Sequence, residues 1–91
     1  MTALAAIGIA CRSKANNPWL DRLLASLQRH PCGVSRTDVL VEEGELLTKV
    51  EKLNRLLRAA DARYVVLLED DAEVLHSGWL AGMVLAAQAA V

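Results

Sequence analysis

Two short runs, "ALAAIGIA" at Ala3–Ala10 and "YVVLL" at Tyr64–Leu68, are apolar at every position. A strand-length run without polar alternation suits a strand covered on both faces, and such strands belong to parallel sheets with helices on either side. The segments between and after them carry the helical period instead. Following the polar loop "CRSKANN", Asn17 suits an N-cap and Pro18 the first helical position. Leu20, Leu23, Leu24 and Leu27 recur at i, i+3, i+4 and i+7, marking one face of a helix that Pro31 and Gly33 stop. "TDVLVEE" reads as a second strand, polar at its start and apolar in its middle, and Gly44 ends it. A second helix is predicted over roughly Glu45 to Ala60, with Leu46, Val50, Leu53, Leu57 and Ala60 inward. Its outer face would carry Glu45 with Lys49 and Glu51 with Arg55 as i,i+4 pairs. After "RYVVLLE", the third strand, Ser77 is expected to cap a last helix with Leu80, Met83, Val84 and Ala87 on one side.

The order strand, helix, strand, helix, strand, helix implies an α/β fold: a short parallel sheet with helices packed on it through right-handed crossovers. The expected architecture is a three-layer, Rossmann-like half domain with strand order 2-1-3, in a single domain over residues 1–91. Strand 1 is then central, and "TDVLVEE" is the natural edge.

Composition narrows the partners. A chain of 91 residues buries only about 60–65% of its unfolded surface, yet 54% of these residues are hydrophobic. The excess predicts a homodimer, with strand edges or the last helix at the contact. Ten basic residues against eleven acidic ones give a formal charge of −1 and no nucleic-acid footprint. Cys11 and Cys32 stand in no metal-ligand spacing and suggest reduced thiols, as in a cytoplasmic protein. The start "MTALAAIGIAC" lacks the basic flank of an export signal, and no run approaches the roughly 20 apolar residues of a membrane span.

The third strand ends abruptly in Glu69, Asp70 and Asp71. Open parallel sheets bind ligands beyond the carboxyl ends of their strands, here between strands 1 and 3. Three polar elements converge on that point: "CRSK" after strand 1, "EEG" after strand 2 and "EDD" after strand 3. Glu69 and Asp71 are expected to point to the same side, because side chains alternate along a strand. Paired carboxylates of this kind suit a hard divalent cation, magnesium or manganese, with a substrate diphosphate completing its shell. The competing reading is a solvated turn.

The order of these patterns resembles the N-terminal, nucleotide-binding half of a family 2 glycosyltransferase with the GT-A fold. The likeness covers the chain to about Met83 and rests on four stretches. They are the helix "LDRLLASLQRHP", the strand end "VLVEEG", the helix-to-strand passage "KVEKLNRLLRAADARYVVLLEDD" and the stretch "EDDAEVLHSGWL". The resemblance implies that Asp71 matches the last acid of a DXD motif, which coordinates the metal bridging the nucleotide diphosphate. Glu69 matches the first acid and would share the metal or contact the ribose, and Asp70 fills the middle position. Glu42 and Glu43 match the acidic pair that contacts the base or ribose, and Arg12 lies in the loop bordering the nucleotide. Glu replaces the more usual Asp at positions 69, 42 and 43, and the family has an additional strand between the acidic pair and the helix that follows Gly44 here. The acceptor-binding half and the catalytic base are expected beyond Val91, so catalytic residues are left unassigned. The implied ligand is a nucleotide-sugar of the UDP or GDP type held through the divalent metal; the alternative is a non-catalytic, dimeric α/β interaction module derived from the same fold. Among the remaining polar and aromatic residues, Lys49, Lys52 and Arg55 read as a solvated helix face and His76 as a loop residue. Trp19 and Trp79 are expected to pack the first and last helices onto the sheet, and Asn54 to pack or hydrogen-bond near the site.

Overall fold

The structure, a computed structural model, describes residues 3–34 and 37–89. Three strands, β1 (Ala3–Cys11), β2 (Thr37–Glu43) and β3 (Ala62–Glu69), alternate with three helices, α1 (Pro18–Arg29), α2 (Lys49–Ala59) and α3 (Trp79–Ala89). The sheet is parallel, in the order β2-β1-β3. Ala5 to Cys11 pair with Thr37 to Glu43 on one side of β1, and Ala3 to Ala10 pair with Ala62 to Glu69 on the other. All three strands therefore end at one edge of the sheet, which is where the chemistry-bearing loops gather.

The two faces of β1 differ in residue size, and that difference builds three layers. Its odd-numbered side chains, Ala5, Ile7, Ile9 and Cys11, form one buried cluster with Leu20 and Leu23 of α1 and Leu80 and Val84 of α3. Tyr64, Val66 and Leu68 of β3 pack onto the same cluster, so α1 and α3 share a face. Even-numbered Ala6, Gly8 and Ala10 face the other way and are small. α2 can settle closely there: a Cβ built on Gly8 would lie 3.0 Å from Leu67 Cδ2 and 3.4 Å from Leu56.

The first helix follows its expected caps and stripe. Asn17 accepts the Leu20 N–H, Pro18 opens the helix, Leu20 and Leu23 are buried, and Leu24 and Leu27 pack against the cluster. The second helix does not. It begins at Lys49 rather than near Glu45, because Thr48 takes the N-cap and forms a capping box with Glu51. The inward face differs as well: Leu56 is 2% exposed and Leu53 half-buried, whereas Leu57 is 50%, Val50 64% and Leu46, outside the helix, 99% exposed. The expected i,i+4 pairs are replaced too, Lys49 pairing with Glu69 and Arg55 with Glu42. In α3, Gly78 at φ 76° occupies the turn before the helix and Ser77 supplies no cap. Leu80 and Val84 are buried there as expected, but Met83 is exposed. The extent of this helix beyond Ala89 lies outside the described residues.

Trp79 packs on the core, and its indole N–H is buried without an acceptor among the described residues. Trp19 instead lies exposed on α1 with the Arg22 guanidinium 5.2 Å over its ring, so it does not pin the helix to the sheet. Both cysteines are free thiols. No helix of the described residues is long and apolar enough to cross a membrane.

Candidate functional site

Beyond the carboxyl ends of β1 and β3 lies a cleft of about 240 Å³, lined by Ala10, Cys11, Arg12, Lys49, Lys52, Glu69 and Asp70. Beside it, and sharing Arg12, is a wider hollow of about 450 Å³ bounded by Ser13, Glu43, Gly44, Glu45, Leu46 and Leu47. The parallel register puts Cys11 beside Glu43 and Ala10 beside both Glu42 and Glu69, so the strand-end acids are brought together by the ladder itself.

Those three acids, and Asp70 in the turn that follows β3, are engaged by their own chain. The Lys14 backbone N–H donates to Glu43 Oε2 at 2.7 Å, and the Gly44 N–H donates to the Arg12 carbonyl at 3.2 Å, stitching the first loop to the second. Arg55 pairs with Glu42 at 3.4 Å, and Lys49 pairs with Glu69. Asn17, the cap of α1, donates through Nδ2 to Asp70 Oδ2 at 3.0 Å and to the Ser13 carbonyl at 2.8 Å. Asp71 has no hydrogen-bond or ion-pair partner among the described residues. The premise of strand alternation through the triplet does not hold: β3 ends at Glu69, and Asp70 and Asp71 lie in a turn closed by the Ala72 N–H on the Glu69 carbonyl at 3.1 Å. Glu69 and Asp70 therefore line the cleft, with Asp71 one residue further along the turn.

Two residues assigned by sequence to a solvated helix face belong to the site. Lys49 and Lys52 sit on the first turn of α2, and Lys52 is half-buried, its ammonium donating to the Cys11 carbonyl at 3.1 Å. The signal that would have found them is Thr48 with Glu51, a capping box that starts the helix at the lysines and at the sheet's carboxyl edge. Asn54, in contrast, is exposed and is not among the residues that line the cleft. His76 is an exposed loop residue, its Nδ1 3.3 Å from the Ser77 carbonyl.

Electrostatics in the cleft are mixed. Arg12, Lys49 and Lys52 offer three cations against the carboxylates of Glu69 and Asp70. Cys11, buried at the cleft floor, has its thiol pushed above the ordinary value by burial and by the charges of Asp70 and Glu43, against the opposing pull of Lys52 and Lys14. Because the folded thiol holds its proton longer than the unfolded one, stability is undiminished below the unfolded pKa of about 8.5 and falls as pH rises from there toward the folded value. Urea unfolding between about pH 7.5 and 10 should show this decline in wild type, and Cys11→Ala should lose the part due to this thiol. An identical alkaline slope in the two proteins would contradict it.

Comparison of the chain with protein-family models, with curated proteins and with solved structures finds no match in any of the three. What the fold and the cleft define is a small open-sheet α/β protein with a mixed-charge crevice at the carboxyl edge of its sheet.

Proposed function

We propose that this crevice binds the diphosphate of a nucleotide, as carried by a nucleotide-sugar of the UDP or GDP type, together with a divalent cation. The observation that carries the reading is the convergence of Arg12, Lys49 and Lys52 with Glu69 and Asp70 in one cleft at the ligand-binding edge of a parallel sheet. Cations neutralise phosphate oxygens, and carboxylates offer the hard oxygen ligands that magnesium and manganese prefer. No group of three or more His, Cys, Asp or Glu residues among those described is assembled to hold a metal alone. Such a site fits a cation that keeps waters and takes phosphate oxygens, held by one or two carboxylates. Asp71, without a partner among the described residues, and Asp70, with Asn17 on one oxygen only, are the acids most available for it; Glu69 would be shared with Lys49. The nucleoside would lie in the adjoining hollow, against Glu43 and the exposed Leu46.

The likeness to the donor half of a family 2 glycosyltransferase supports the same assignment. In that setting the metal offsets the charge on the departing nucleoside diphosphate. Transfer of the sugar would additionally need an acceptor pocket and a base, and no residue of the cleft is assigned that role.

A second reading, a non-catalytic α/β interaction module, is favoured by one feature: Glu42, Glu43, Glu69 and Asp70 already brace neighbouring elements. Isothermal titration of UDP and GDP, with and without manganese, separates the two. Manganese is expected to tighten binding by roughly tenfold or more in wild type. Asp71→Ala should abolish that gain, and Arg12→Ala should weaken binding with or without the metal. No heat with either nucleotide under any condition overturns the donor-site reading and leaves the module.

A further inference from the structure

β3 is an edge strand: β1 pairs along one side, and among the described residues no strand lies on the other. An edge presents a row of unpaired N–H and C=O groups, and protein edges are normally short, charged or covered. β2, the opposite edge, follows that rule with Asp38, Glu42 and Glu43. β3 is apolar from Tyr64 to Leu68 and carries charge only near its ends, at Arg63 and Glu69. Beside it, α3 has no charged residue in any turn; it buries only Leu80 and Val84 and leaves Met83 and Leu85 exposed. A helix that is apolar on all sides is normally buried. Two apolar clefts, of about 300 and 160 Å³, run along this edge between β3 and α3, and Val66 and Met83 line both.

We propose that a second copy of this chain covers the edge, the two β3 strands pairing antiparallel about a two-fold axis through Val66 and normal to the sheet. The sheet then continues through the contact in the order β2-β1-β3-β3-β1-β2, and the two α3 helices flank the seam on the same face.

Symmetry and charge together select the register. Directly opposed residues point to the same face, and an axis normal to the sheet preserves faces, so the allowed registers differ by steps of two residues in pairing. Centred on Val66, Tyr64 opposes Leu68, Val65 opposes Leu67, and Arg63 opposes Glu69 at both ends of the seam. Centred on Val65 instead, Asp61 meets Glu69 and Arg63 meets Leu67. Centred on Leu67, Tyr64 and Val65 meet Asp70 and Glu69. Only the Val66 register matches apolar with apolar and cation with carboxylate. Arg63 has no carboxylate partner among the described residues, and the Glu69 side chain, 52% exposed beside Lys49, is open to a second cation.

Sedimentation equilibrium over a range of concentrations, with circular dichroism to confirm folding, tests this. Wild type should sediment as a dimer at micromolar concentration. Arg63→Glu, on an exposed side chain, places like charges opposite each other twice and should raise the dimer dissociation constant roughly tenfold. The double swap Arg63→Glu with Glu69→Arg should restore most of the loss, which neither change would do if it acted only within one chain. A wild type that stays monomeric at high micromolar concentration overturns the proposal. So does a dimer indifferent to Arg63→Glu, or one that the double swap fails to rescue.

Discussion

Replacing Leu56 by alanine should destabilise the protein by about 2–4 kcal/mol, whereas Leu57→Ala one position along should cost well under about 1 kcal/mol. The contrast follows from placement. Leu56 is 2% exposed and is the buried residue of α2, set against Gly8 and facing the same layer as Leu67 of β3. Truncation would leave a void in a layer where the sheet offers only alanine and glycine from β1 to close it. Leu57 is half exposed, so its loss removes little area from the packed layer. Urea denaturation of the two variants checks the prediction. Equal midpoints, or a larger loss for Leu57→Ala, would mean that α2 uses the face its leucine spacing suggests rather than the one described above.

Ser26→Ala should cost about 1–3 kcal/mol despite the similar size of the two side chains. Ser26 is wholly buried in α1. Its hydroxyl donates to the Leu23 carbonyl at 2.8 Å and accepts the Val74 N–H at 3.0 Å. Alanine keeps the packing but leaves the Val74 amide without that acceptor. The bond ties the segment after the acidic turn to α1, so the loss should appear both in the unfolding midpoint and as faster hydrogen exchange at the Val74 amide. Unchanged exchange there, with a global loss only, would show that the bond does not hold the segment. Ser26 carries no mark in the sequence, because its partner lies 48 positions away.

Legibility of the site divided along the same line. That the acids of β2 and β3 would gather at one edge was readable, since parallel strands joined by helices must end on the same side. Which acids are available to a ligand was not. Glu43 is taken by a backbone amide of the first loop, Asp70 by the cap of α1 and Glu69 by the first turn of α2. Those partners come from three elements distant in sequence, and the contacts exist only once the layers are stacked. The lysines of α2 were passed over for a related reason. On a helix wheel Lys49 and Lys52 lie on a polar face, and it is the start of the helix at Lys49 that puts them in its first turn, beside the cleft.

The sequence by itself determined the α/β alternation, the strand order with β1 at the centre, and the buried stripe of α1. These are properties of local periodicity, caps and apolar run length, and they survive without knowledge of any long-range contact. Tertiary structure decided the rotation of α2 about its axis, the end of β3 at Glu69 and the partner of each acid. The physical reason is that each rests on a balance too close for local signals to settle. Leucines at 53, 56 and 57 could each have faced inward, and the small side chains of β1, which admit Leu56 closely at Gly8, broke the tie.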